Sequence, residues 1–389
     1  MPYSIEWWFC ASLSTRMLPI PNQEALMEIR SRRLSGLEVS RGFAALSVVI
    51  FHLMVIYLPL PPSSIQKAIS SFGGAVPFFF ALSAFSLCFG YSEKIFSESG
   101  MRTFYTRRMF RILPLFYLML IVHYIRENYF YQRAWPADVV INMFFLFPFF
   151  PGKHESIIWA GWSLGVECLF YLIFPVVVLL TKRIVLNVSI FLMLCLVTLA
   201  IHRSTPGFKF DHTYFSMNTP SNLIYFQAGA LAYGGIQVVE RLKDGTVIFG
   251  KIRSWFYPLF LLTIAILLLY RIGLPESIRA DFPVAPILAV VCMIWIMLAY
   301  AGLPRLIDNK ITQHFGRLSY GIYLIHPLVL WAMAEFKVFE YVTSRIPDPV
   351  FALLICAVAA VMFVIVMADF SYRLIERPAM AFGETLLRL

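Results

Sequence analysis

The sequence predicts an all-α polytopic membrane protein of about ten transmembrane helices with one extra re-entrant or interfacial apolar segment at 137–150. Three observations carry this reading. Of 389 residues, 60% are hydrophobic and 14% charged, whereas a soluble domain runs about 45–50% apolar and about 25% charged. The mean hydropathy is +0.75. The apolar residues also come in stretches of membrane-spanning length. A water-soluble globular fold is excluded. The 32 Lys and Arg outnumber the 22 Asp and Glu, giving a net charge of +10. On so apolar a chain that excess reads as cytoplasmic loops facing anionic membrane lipids, with no nucleic-acid partner expected.

Windows of about 19 residues place the spans near 42–60, 73–91, 112–126, 163–180, 184–201, 221–238, 254–271, 283–302, 318–334 and 350–370. The stretch 137–150 sets Phe144, Phe145, Phe147, Phe149 and Phe150 around Pro148 and is too short for a span. Charge decides its topology. If 137–150 does not cross and the N-terminus is cytoplasmic, 22 of the 32 Lys and Arg lie inside and 10 outside; if it crosses, the split becomes 17 to 15. The first case is expected, with both termini cytoplasmic in a multi-pass protein of the plasma membrane, in a bacterium the inner membrane. Residues 1–36 read as a cytoplasmic N-terminal arm, 37–380 as the membrane domain and 381–389 as a short cytoplasmic tail. Glu6 and Arg16 interrupt any signal-peptide pattern, so no cleaved leader is expected. The six cysteines show no C-x-x-C spacing, which indicates neither a disulfide framework nor a metal site.

An ionisable side chain at mid-bilayer costs about 2.5–3.5 kcal/mol on insertion scales, so each one is a candidate for function. Arg41 begins the first span and His52 lies deep in it, ten residues separating them. Arg41 serves either as a positive-inside anchor or as a group positioning His52 or a donor carbonyl. His52 serves either as a histidine bonded to a neighbouring helix or as a general base. Arg107, Arg108 and Arg111 precede the third span; they are a topogenic cluster or, at three- and four-residue spacing, a set of guanidinium forks for one phosphorylated ligand such as coenzyme A. Trp162, Ser163 and Glu167 open the fourth helix. There Glu167 can satisfy the helix terminus, bind substrate hydroxyls or orient His52. Tyr323 and His326 sit in the ninth span, where Pro327 frees a carbonyl. Asp369, Arg373 and Glu376 read as a structural charge network at the end of the last span.

Taken in order, these residues resemble the acyltransferase family 3 membrane proteins. The resemblance rests on Arg41 with His52, on Phe79-Phe80-Ala81-Leu82-Ser83-Ala84-Phe85, on Arg107-Arg108 with Arg111, and on Trp162-Ser163-Leu164 with Val166-Glu167. It continues through Ser319-Tyr320-Gly321-Ile322-Tyr323-Leu324-Ile325-His326 and Tyr372-Arg373-Leu374-Ile375-Glu376-Arg377-Pro378. It covers about residues 37 to 380. Ala84 departs from a usual Gly, and Cys168 from a polar residue that often follows the Glu, which weakens any two-carboxylate mechanism there.

The resemblance implies transfer of acyl groups, commonly acetyl, to hydroxyls of carbohydrates and other molecules outside the cytoplasm. His52 and Arg41 would be essential and the arginine cluster would contact acyl-CoA. The expected function is therefore a membrane O-acyltransferase moving an acyl group, acetyl in the simplest case, from acyl-CoA to a hydroxyl of a cell-envelope or extracellular glycan or glycolipid. Acyl-CoA is a co-substrate, no resident cofactor is expected, and the enzyme would work beside glycan synthesis or export proteins. Catalysis falls to His52 and Arg41, donor binding to Arg107, Arg108 and Arg111, and the acceptor side to Glu167, Trp162, Ser163, His326 and Tyr323. The competing class is a proton-coupled transporter or exporter of a polar small molecule or glycan intermediate, since intramembrane His, Glu and Asp also build proton relays. Helices broken at matching places of two halves would favour it, and the sequence does not display them.

Overall fold

The computed structural model describes residues 23–57, 69–132, 136–204, 212–242, 245–269 and 284–388, and among them every regular element is helical. The helices are α1 (Gln23–Tyr57), α2 (Ala75–Tyr91), α3 (Gly100–Arg126), α4 (Pro136–Met143), α5 (Trp162–Thr181), α6 (Ile184–Ser204) and α7 (His212–Met217), then α8 (Thr219–Arg241), α9 (Gly245–Ser254), α10 (Phe256–Leu268), α11 (Val284–Ala301), α12 (Lys310–Glu335), α13 (Val338–Arg345), α14 (Pro349–Ser371) and α15 (Arg377–Leu386). Residues 1–22 of the predicted arm lie outside the described residues, and the first helix is already under way at Gln23.

Local chemistry fixes several starts. The Asn309 side chain accepts from the amides of Ile311 and Thr312 while Thr312 Oγ1 accepts from the Asn309 amide, a reciprocal cap that opens α12. Asp348 accepts from the amides of Val350 and Phe351, and Pro349 in the first turn needs no donor partner, so α14 begins there.

Among the described residues seven helices are long and apolar enough to cross a membrane, and nine are if α9 with α10 and α12 with α13 each count as one bent span. The expected windows 42–60 and 254–271 run partly outside the described residues, so seven to nine of the roughly ten expected spans are seen. The window 221–238 does form a helix, α8, and its largely apolar buried face includes the polar Asn222 and Gln227. Gln227 donates to the Asn187 carbonyl at 3.0 Å and the Asn187 amide to the Ala230 carbonyl at 3.2 Å, so α8 is an inner helix joined to α6 by hydrogen bonds. Such bonds are affordable in a membrane because both partners are satisfied. Segment 137–150 contains the eight-residue α4 and a single 3₁₀ turn, Phe147–Phe149. At 1.5 Å per residue an eight-residue helix extends about 12 Å, far short of a bilayer core.

Apolar side chains line the outside as well as the core. Leu354, Val358, Met362, Val366 and Phe370 of α14 and Leu192, Met193 and Leu196 of α6 are exposed. Patches of this extent suit lipid and not water.

Packing at the centre depends on missing side chains. α1 and α12 run parallel and touch backbone to backbone: a Cβ added at Gly42 would lie 2.8 Å from the Gly316 amide nitrogen, and one at Gly316 would lie 2.2 Å from the Glu38 carbonyl oxygen. Ala45 and Val49 of α1 then pack on Leu318 and Ile322 of α12 and on Val364 and Ala368 of α14. Gly229 of α8 meets the Ala81 carbonyl of α2 in the same way, its Cβ position 1.9 Å from that oxygen. Small residues at helix crossings are how membrane helices approach closely where no hydrophobic force drives them together.

Gly42→Ala and Gly316→Ala are expected to lower the thermal midpoint of the detergent-solubilised protein, overpacking of this kind costing about 1–3 kcal/mol or more. Gly235→Ala, in open space on α8, is expected to be neutral or to gain about 0.5–1 kcal/mol. Equal midpoints for all three, read as monodisperse protein surviving a heat step, would show that the close approach is not a constraint.

Candidate active site

His52 and His326 meet across the α1–α12 contact, His52 Nδ1 to His326 Nε2 at 2.8 Å. The other nitrogen of His326, Nδ1, lies 2.6 Å from the Tyr323 carbonyl oxygen one turn earlier. A carbonyl can only accept, so for neutral rings the proton on His326 sits on Nδ1 and its Nε2 is bare. His52 must then donate from Nδ1, and His52 Nε2 is left with its lone pair free. The backbone of α12 thus dictates the tautomer of a histidine on α1. His326 is fully buried, and His52 is partly buried with its ring 4.4 Å from that of Trp159.

A second chain of bonds holds the α12 turn. The Tyr323 hydroxyl donates to the Ala160 carbonyl at 2.9 Å, which obliges Ser163 Oγ to donate to Tyr323 at 2.7 Å. This ties the start of α5 to α12. Trp162, predicted beside these two, packs edge-on against Phe80.

Below the histidines, toward the N-terminal end of α3, lies a narrow pocket of about 80 Å³ whose charged lining is Arg41, Arg108, Arg111 and Glu167, together with Ser83, Tyr171, Tyr320 and Tyr323. Arg41 donates to Ser86 at 2.8 Å, and Ser86 in turn to the Leu82 carbonyl. Glu167 accepts from Ser83 at 2.6 Å and from Tyr171. Arg108 lies over the Tyr91 ring at 5.8 Å, and its Nε is buried with no partner. Among the described residues neither Arg108 nor Arg111 forms an ion pair, which leaves three guanidinium groups facing one carboxylate.

Toward the other end of α3 opens a cavity of about 830 Å³, lined by Trp159, Trp331, Tyr131, Asp138, Lys153 and Pro327 among others. Arg111 and Arg126, which mark the two cavities, are fifteen residues apart on one helix, about 22 Å along its axis. The histidine pair lies between them, since Trp159 and Pro327 line the larger cavity and touch or adjoin His52 and His326.

The sequence reading grouped these residues differently. Arg107 is not in the pocket: its Nε and Nη2 hold both oxygens of Glu384 on α15, at 2.7 and 3.0 Å. Arg41 is about three helical turns from His52 and does not touch it. Glu167 orients Ser83 and Tyr171, not His52, and with Ser163 and Tyr323 it shares the arginine pocket in place of a separate acceptor side. Of the charge network, Asp369 pairs with Arg373 at 2.8 Å and with His314 at 3.1 Å, while Glu376 is buried apart from them, its Oε1 unpartnered. Ser83, Tyr171 and Trp159 went unpredicted. Tyr171 was findable one turn after Glu167; Trp159 sits in an aperiodic loop that gives no such signal.

The family profile described as an acyltransferase domain matches residues 34–368. A Staphylococcus aureus (strain COL) protein named "Putative O-acetyltransferase" is 25% identical over 375 residues, 90% of this chain and 58% of that protein. A "Putative acetyltransferase" of Acidianus two-tailed virus is 27% identical over 300 residues, 74% of this chain and 81% of its own. A "Putative peptidoglycan O-acetyltransferase" of Bacillus subtilis (strain 168) is 25% identical over 381 residues, 89% of this chain and 55% of its own. The chain thus spans 58% of the length of the staphylococcal relatives. No solved structure gives a significant match. A profile covering α1 to α14, over the same helices that build the histidine pair and the arginine pocket, shows that the chain belongs to the acyltransferase 3 family.

Proposed function

We propose that the protein transfers an acyl group, acetyl in the simplest case, from a coenzyme A thioester to a hydroxyl of a cell-envelope or extracellular glycan, with His52 as general base. The observation that supports this most is the chain Tyr323 carbonyl, His326, His52, which leaves His52 Nε2 free between two cavities, its ring against Trp159 of the larger one. His52 Nε2 takes the proton of the acceptor hydroxyl as its oxygen attacks the thioester carbonyl. His326 steadies the imidazolium, accepting from Nδ1. When the tetrahedral intermediate collapses, the C–S bond breaks and His52 returns the proton to the departing thiolate, so His52 ends as it began.

The arginine pocket is the donor end in this reading. Three guanidinium groups against one carboxylate favour an anion, and forked donors suit phosphate. Arg41 and His52 are about 16 Å apart along α1, a span of the order of the pantetheine arm between the phosphates and the thioester of coenzyme A. The charge split of the loops supports a cytoplasmic arginine end, where coenzyme A is found, and an outer-facing larger cavity, where proteins of glycan synthesis or export would present the acceptor.

His52→Gln is expected to insert normally and to lower acylated glycan per inserted protein by about 10²-fold or more, as His52→Ala should, because glutamine keeps a hydrogen bond but cannot carry the proton. Near-wild-type acylation by the Gln variant, measured by mass spectrometry of envelope glycans, would remove His52 from the chemistry.

Arg108→Ala and Arg111→Ala are expected to raise the KM for acyl-CoA roughly ten- to hundred-fold, the loss of a charge-assisted bond costing about 1.5–3 kcal/mol. Lysine should restore part of it. Arg107→Ala should leave that KM unchanged, its guanidinium being committed to Glu384. The reverse order in a membrane assay would move the donor site out of the pocket.

A further inference from the structure

The larger cavity differs from the arginine pocket in charge and in surface, and the difference selects a ligand. Its two cations are each already paired inside the lining: Lys153 with Asp138 at 2.7 Å, and Arg126 with Glu127. Glu155 adds a third carboxylate, and among the described residues no third cation lines the cleft. The charged lining therefore sums to one negative charge, against two positive in the arginine pocket. An anionic ligand would meet repulsion here and no free guanidinium.

The apolar part of the lining is flat and aromatic. Trp331 and Trp159 both line the cavity; the Arg126 guanidinium lies over the Trp331 ring at 5.6 Å and the Tyr131 hydroxyl accepts from its indole N–H at 3.0 Å, which together fix the plane of the ring. Aromatic faces flanked by paired charges and amides fit a ligand with one apolar C–H face and a rim of hydroxyls. The wall is also built in advance. Asn142 is buried, and its Oδ1 accepts from Ser156 Oγ at 2.5 Å and from the Ile157 amide at 3.1 Å, so it pins the loop 144–161. Three of the five described non-glycine residues with positive φ, Phe145, Ser156 and Ala160, lie in that loop. Backbone held in such conformations persists only where its surroundings over-determine it, and it concentrates at ligand sites.

We infer that this cleft is an acceptor site for an uncharged stretch of sugar chain, stacked on Trp331 and Trp159, and that it discriminates against acceptors carrying uronate or phosphate groups. The assignment rests on the acyl-transfer reading for its purpose but not for its test. About 830 Å³ falls within the roughly 300–1,000 Å³ range of small-ligand clefts, and the floor at Trp159 sets one end of the bound chain beside His52.

The test is direct binding, read by tryptophan fluorescence on the full chain in lipid nanodiscs. The probes are neutral trimers of glucose and of N-acetylglucosamine and, as the charged counterpart, a galacturonate trimer. A neutral trimer should bind saturably to the wild type and equally well to His52→Gln, which separates binding from chemistry. Trp331→Phe should bind slightly more weakly and Trp331→Ala at least about tenfold more weakly, with unchanged thermal midpoints. The galacturonate trimer should bind about tenfold or more weakly than the neutral ones, and Glu155→Lys should narrow that gap. Absence of saturable binding by any neutral trimer, equal affinity in Trp331→Ala, or galacturonate binding as tightly as glucan would each overturn the inference. If binding behaves as expected while no acylated glycan forms in cells, the acyl-transfer reading fails and the sugar site stands.

Discussion

The contact on which the rest depends is the backbone approach of α1 and α12 at Gly42 and Gly316. Membrane helices separated by ordinary side chains stand 8–10 Å apart, and glycine lets them come closer. At that separation two imidazoles projecting from parallel helices reach one hydrogen bond. A wider crossing would leave one nitrogen of each histidine without this partner in a medium that makes an unpaired polar group expensive. Packing of α14 on the far side of α12, through Val364 and Ala368, holds the approach from behind.

The second constraint is electrostatic. The described linings of two cavities approached from opposite ends of α3 sum to opposite net charge, and the histidine pair lies between them. The three pocket arginines cluster around Glu167 because a bundle of this kind has few places where a guanidinium can be buried without facing lipid. The polar ties among Ser83, Glu167 and Tyr171 fix the one negative charge that offsets them.

Much of the helical layout could be read from the sequence, because hydrophobic length is a one-dimensional property. Charge arithmetic leads to the expectation that 137–150 does not cross, and the structure has only a short helix and a turn there. The count of spans was less legible: α8 is an inner helix whose Asn222 and Gln227 are buried, and hydropathy weighs such residues as if they faced lipid. Partners across the bundle were not legible at all. Helical spacing puts Arg107 near Arg108 and Arg111, but only the docking of α15 shows that Glu384 claims it. In the same way, depth alone singled out His52 and His326 separately. Their pairing depends on the relative rotation of two helices 274 residues apart in sequence, which no local pattern encodes.

That separation has a consequence for biogenesis. His52 leaves the ribosome long before His326, and at about 5–20 residues per second the intervening 274 residues take roughly 14–55 s to synthesise. Throughout that interval the first helix sits in the bilayer with its imidazole in the wrong company and no fixed tautomer. The histidine pair is therefore completed by one of the last helices to arrive, and a chain stalled or cut before α12 carries His52 without its partner.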